Sequence, residues 1–180
     1  MDGGTTLDAI DNTITQTQGY GIIYQEQSEG NVTGNTVYDN EGRVHIFSGF
    51  HGTIDDLSGN VMVGTRAGRL MFSEGDGRIL GSDCNCFIQP YGDSYISMQD
   101  AEWVPMTLAE WRAFSGEDTH SVAAWFTSPE GTEPRTELFI NDTAEEKTFA
   151  LDGAYLDLDQ QAVPGSITLA PFSSRVLVLE

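Results

Sequence analysis

The chain has 180 residues, with 28 Asp and Glu against 8 Lys and Arg, a formal net charge of -20 and a hydrophobic fraction of 39%. That balance argues against nucleic acid as a partner, because binding phosphates needs a basic surface to release counterions. No run approaches the ~20 apolar residues of a membrane helix, so no membrane partner is expected, and the apolar residues recur regularly enough for a packed core.

The first hundred residues carry a repeat. Asn12, Asn35, Asn60 and Asn85 are separated by 23, 25 and 25 residues and open similar phrases: Asn12-Thr-Ile, Asn35-Thr-Val, Asn60-Val-Met, Asn85-Cys-Phe. A period in this range marks a solenoid. One strand set is Asn12–Thr15, Asn35–Tyr38, Asn60–Val63 and Asn85–Ile88. A second is Gly21–Tyr24, Arg43–Phe47, Arg69–Phe72 and Tyr95–Met98. A weaker third includes Ile54 and Ile79. Three short strands per coil of ~25 residues fit a right-handed parallel β-helix. Two apolar ladders, Ile22/Val44/Leu70/Ile96 and Tyr24/Ile46/Phe72/Met98, are assigned to the inside. The asparagines form a further inward ladder whose amides satisfy one another from coil to coil.

Residues 99–106 read as irregular, with Pro105 as a breaker. Thr107 with Glu110 is a capping box, Leu108, Trp111 and Phe114 give an apolar face, and Gly116 is a C-cap. A helix of about two turns is expected, with Trp111 packed against the last coil. From Glu137 onward, Leu138–Ile140, Thr148–Leu151, Ala154–Leu158, Ser166–Leu169 and Arg175–Leu179 alternate with turn residues. Together with residues 121–127 they suggest a small antiparallel sandwich. The organisation expected is therefore all-β: coils over 1–100, a bridging segment with the helix over 101–130, and an antiparallel β-domain over 131–180.

The outward ladders name the candidate site. Arg43 and Arg69 stand one strand spacing apart, with His45 and Tyr95 beside them. Two guanidinium groups at that distance invite an anion, and a uronate carboxylate suits their planar fork. Asp55 and Asp56 have the chemistry for glycoside hydrolysis or for calcium, but neighbours on an extended chain point apart. Asp118 and His120 follow the helix cap, where such residues tie a loop down. Of the three tryptophans, Trp103 is the one placed for exposure as a sugar platform. Cys84 and Cys86 are expected to be free thiols, since residues i and i+2 of a strand are too far apart for a comfortable disulfide. His45, His51 and His120 are scattered, so no metal site is expected, and no cofactor beyond the calcium that acidic residues can accept. The leader Met1-Asp-Gly-Gly-Thr-Thr is polar and no apolar signal core follows it. Residues 1–11 offer no cap for the first coil, so the chain reads as the C-terminal part of a longer protein.

The phrases GNVTGNTVYDN and DDLSGNVMVG resemble repeats of secreted right-handed parallel β-helix proteins, the pectate-lyase-like superfamily. SDCNCFI resembles an Asp-x-Asn-x-Tyr motif that ends the last full coil in one bacterial branch, with Cys86 and Phe87 as departures. LAEWRAFSGEDTHSV and the stretch from Glu137 to Glu180 are similar to the segments that follow it there. The resemblance implies an extracellular or cell-surface protein that meets a polysaccharide, acidic or not. It implies part of a polysaccharide lyase or glycoside hydrolase, with catalytic residues upstream, or else a non-catalytic adhesin or polysaccharide-binding module.

Overall fold

The computed structural model describes residues 4–39, 44–75, 77–99 and 103–180, the side chains of residues 99 and 103 excepted. It divides into two compact units, Met1–Gly131 and Thr132–Glu180.

The first unit is a β-solenoid of about three coils. One coil runs β1 (Ala9–Ile10), β2 (Thr13–Thr15) and β3 (Ile22–Tyr24). The next runs β4 (Glu29–Thr33), β5 (Thr36–Tyr38) and β6 (Ile46–Gly49). The third runs β7 (Thr53–Ser58), β8 (Val61–Val63) and β9 (Met71–Glu74). The order then repeats with a split first strand, β10 (Arg78–Ile79) and β11 (Ser82–Asp83), before β12 (Cys86–Ile88) and β13 (Ile96–Gln99). Equivalent strands pair in parallel and make three walls. Ile14, Val37, Met62 and Phe87 stack inward from the second wall, and Ile22, Ile46, Met71 and Ile96 from the third. Val32, Ile54 and Leu57 come from the first, and all belong to one apolar core. Burying such a side chain stabilises by about 1.5–3 kcal/mol.

The asparagine row occupies the bend before the second wall. The backbone N–H and Nδ2 of Asn12 both donate to Oδ1 of Asn35, at 3.0 and 3.1 Å. Those of Asn35 donate to Asn60 at 3.0 Å each, and those of Asn60 to Asn85 at 3.0 Å each. Asn35, Asn60 and Asn85 are fully buried. The residue before each is left-handed: Asp11, Gly34, Gly59 and Cys84 have φ of 53°, 68°, 65° and 57°. Glycine takes this conformation at no steric cost and aspartate at little, whereas cysteine does not.

The third wall corrects the expected register. Ile22 pairs in line with Ile46, Met71 and Ile96, not with Val44 and Leu70. Phe72 stacks on Phe47, on the outer face. The reason is that this wall is apolar on both sides: Val44, Phe47 and Phe72 form a second buried cluster, and Tyr20 stacks on Phe47 at 4.6 Å. Alternation of apolar and polar residues decides register only where one face is polar.

Two more strands belong to the solenoid. Instead of an irregular segment, β14 (Trp103–Met106) runs antiparallel to β13 and sets Pro105 opposite Ser97 at the edge of the wall. An edge strand tolerates a residue without an N–H, and that residue blunts the edge. Rather than opening the sandwich, β15 (Val122–Ala123) pairs in parallel with β12 and extends the second wall. Between them lies α1 (Leu108–Ser115), with both capping-box bonds of Thr107 and Glu110 formed and Gly116 left-handed at φ 79°. Leu108 and Trp111 are buried, but Phe114 is 66% exposed. Each i+3 step lags the helix by about 60°, so two steps carry Phe114 off the face that Leu108 defines.

The second unit is antiparallel. Its strands are β16 (Thr136–Asn141), β17 (Lys147–Ala150), β18 (Tyr155–Leu156), β19 (Ala162–Val163), β20 (Ser166–Leu169) and β21 (Ser173–Leu179). They make a four-stranded sheet, β16-β21-β18-β19, and the pair β17-β20. Both sheets contribute to one apolar cluster around Phe139, Tyr155, Ile167, Leu169 and Leu177.

Candidate functional site

The residues expected to share one outer patch separate. Arg43 lies outside the described residues. His45 is buried, with its ring nitrogens 2.7 Å from the Val63 carbonyl and 3.3 Å from that of Arg69. The imidazole therefore links backbone to backbone inside the wall. Arg69 lays its guanidinium 5.2 Å over the Phe72 ring, and burial lowers its pKa. Tyr95 is buried against Phe87 with ring centroids 5.8 Å apart. Burial pushes its phenol up to about 12, against the opposing pull of the Arg112 charge.

Arg69 and Tyr95 do meet, on a cleft of about 410 Å³ that Gln89, Asp93 and Ser97 also line. Gln89, Asp93 and Tyr95 also border a larger cleft of about 790 Å³, closed by Arg112, Phe126 and Ser128. The larger cleft lies among the loop after β12, the start of α1 and the segment that continues β15. Its walls are held by named contacts. Gln89 Nε2 donates to the Gly68 carbonyl at 3.0 Å, and Ser128 N–H donates to the Pro90 carbonyl at 2.8 Å. Arg112 Nε donates to the Asp118 carbonyl at 2.6 Å, and its Nη2 to the Ser121 carbonyl. Ser97 Oγ beside the smaller cleft and Ser128 Oγ beside the larger are buried hydroxyls with no hydrogen-bond partner among the described residues. A buried polar atom left unmatched costs about 1–3 kcal/mol.

Asp55 and Asp56 are both exposed and lie in β7. The pairing skips Asp55, so Ile54 faces Gly30 and Asp56 faces Asn31. This bulge turns two consecutive carboxylates to solvent while Ile54 and Leu57 remain buried. Trp111 is buried, Trp125 is half-buried edge-on to Phe126, and the Trp103 side chain lies outside the described part.

Asp118 and His120 do different things. Asp118 is fully buried and terminates the asparagine row. Its Oδ1 accepts from Asn85 Nδ2 at 3.0 Å and from Ser121 Oγ at 2.5 Å, and its Oδ2 accepts from Trp111 Nε1 at 2.7 Å. His120 is exposed and sits on Asp83. Its N–H donates to Oδ1 and its Nδ1 lies against Oδ2, both at 2.7 Å, and these bonds hold the Asp83 carboxyl down to about 2. One histidine, His120, thus does lie beside a cysteine. Asp83, Cys84 and His120 each bring a potential ligand atom to within 4.8 Å of the others, which spacing alone could not reveal across 36 residues. Both cysteines are free, Cys84 exposed and Cys86 buried.

No described helix is long and apolar enough to cross a membrane. Comparison with protein-family models, with curated proteins and with solved structures gave no match.

Proposed function

We propose that the chain is a polysaccharide-binding module of the right-handed, pectate-lyase-like β-helix kind, completed by a small β-sandwich, which takes a stretch of neutral glycan in the larger cleft. The observation that carries this reading is the composition of that cleft. Its volume of about 790 Å³ suits a few sugar rings, the half-buried Phe126 ring offers an apolar face, and the exposed Asp93 and Thr127 offer hydrogen-bonding groups. A net charge of -20 disfavours an acidic polymer. Among the described lining residues Asp93 is the only carboxylate, so the paired carboxylates of a glycosidase do not converge there. The setting that goes with such a ligand is extracellular or the cell surface.

A lyase-like reading has one observation in its favour, the meeting of Arg69 and Tyr95 on the smaller cleft. A phenol raised to about 12 is a poor base at neutral pH, which favours binding over catalysis. Calorimetry against neutral and uronate polysaccharides tests the two. Binding of a neutral polymer that weakens in Phe126→Ala and Asp93→Ala supports the module. Unsaturated products released from a uronate polymer, lost in Arg69→Ala, establish the lyase instead.

A further inference from the structure

The exposed turn that closes the solenoid brings three dissimilar ligating side chains together. Asp83 and Cys84 lie just before Asn85, and His120 just before Ser121. The Asn85 N–H donates to Ser121 Oγ at 2.7 Å, as each earlier asparagine N–H donates to the next asparagine, so the two segments are the same turn in successive coils. One potential ligand atom from each of Asp83, Cys84 and His120 lies within 4.8 Å of the others. The two bonds from His120 to Asp83, each 2.7 Å, hold the segments in place without the thiol.

We propose that Asp83, Cys84 and His120 form a binding site for a zinc-like divalent cation. The donor set selects the class. Calcium and magnesium take oxygen ligands, whereas a thiolate, an imidazole and a carboxylate together suit zinc or cobalt. The three groups fill three positions of a tetrahedron, and water takes the fourth. On binding, the Cys84 thiol gives up its proton to solvent and the imidazole binds through a neutral nitrogen. The backbone adds a second mark. Cys84 takes a left-handed conformation, φ 57°, at the turn position that Gly34 and Gly59 fill in earlier coils. A side chain at this position costs more than glycine would, and Cys84 is exposed.

The test is titration of the reduced chain, carrying no histidine tag, with Co2+ and then Zn2+. The expected result is one equivalent of cobalt with a thiolate-to-cobalt charge-transfer band, displaced by zinc, and a melting temperature raised by zinc. Cys84→Gly abolishes the band. Because glycine fills this left-handed turn position in two earlier coils, the metal-free variant melts at or above the wild-type temperature, so the loss cannot be attributed to misfolding. His120→Ala weakens binding by at least the roughly 10–100-fold that losing an outer-shell partner costs. Cys86→Val, whose side chain stands in line with Val61 and Val122, keeps the band. Cobalt bound without the band, or a Cys84→Gly chain that binds like wild type, overturns the proposal and leaves an exposed Asp83–His120 pair with a bystander thiol.

Discussion

The side-chain amide of Asn85 donates to Oδ1 of Asp118 at 3.0 Å, so a row of neutral amides ends on a fully buried carboxylate. The other carboxylate oxygen accepts the Trp111 indole N–H. Asp118→Asn must place an NH2 group against one of these donors, and it is expected to cost about 1–3 kcal/mol. In a Trp111→Phe background the indole donor is absent and the same change costs less. Urea unfolding of the four chains measures the coupling; strict additivity rules out the indole bond as a contributor to stability.

Asn60→Leu removes the acceptor for the Asn35 N–H and Nδ2 and the donor to Asn85, all within the buried row. A loss of about 1–3 kcal/mol is expected. A melting temperature equal to wild type is the contrary result, and it places these amides in a solvated turn.

The two aromatic residues of α1 differ sharply. Trp111 is 3% exposed and Phe114 66% exposed. Trp111→Ala is expected to cost roughly 3–5 kcal/mol. Phe114→Ala changes stability by no more than about 0.5 kcal/mol. Equal losses in chemical denaturation contradict the assigned helix face.

Tyr95 gives the solenoid an alkaline limit. Its phenol ionises near 10 in an unfolded chain and near 12 in the folded one, chiefly because burial disfavours the phenolate. The unfolded state therefore loses the proton first. The stabilisation is complete below pH 10 and is lost as the pH rises towards 12. At full loss it amounts to about 2–3 kcal/mol. Tyr95→Phe removes this component, so the difference in urea midpoint between wild type and variant stays flat to pH 10 and shrinks above it. A constant difference across that window refutes the assignment.

In the second unit, Asn141 is buried. Its Nδ2 donates to the carbonyls of Glu145, Leu169 and Ala170, and its Oδ1 accepts from the N–H and hydroxyl of Thr143. Asn141→Ala takes the Nδ2 donor from the buried Leu169 carbonyl and from the part-buried carbonyls of Glu145 and Ala170. It is expected to destabilise this unit by 2 kcal/mol or more, roughly, read as a lower urea midpoint for the Phe139–Tyr155 core.

The asparagines made the coils legible because a buried amide has to meet its equivalent one coil away, and that requirement survives in spacing. The four strands β2, β5, β8 and β12 of the second wall match the expectation for this reason. The third wall lacked such a marker. Phe47 and Phe72 are as apolar as Ile46 and Met71, and the frame slipped. With it went the proposed meeting of His45, Arg69 and Tyr95, of which Arg69 and Tyr95 alone share a cleft. Asp83, Cys84 and His120 were invisible as a group because the helix and β14 intervene between them, stretching the last interval from 25 residues to 36. Composition could not say that this insertion returns to the same turn.

Every rung of the asparagine row points the same way, from one N–H and Nδ2 to the next Oδ1. The stack is thus a one-way street. Its early end offers an oxygen, and its late end asks for one, which Ser121 and Asp118 supply. A 25-residue storey bearing one asparagine receives and passes on the same demand unchanged. Duplicating residues 60–84 therefore lengthens the column without altering either terminus, and the rule that stops it resides in two side chains, Ser121 and Asp118.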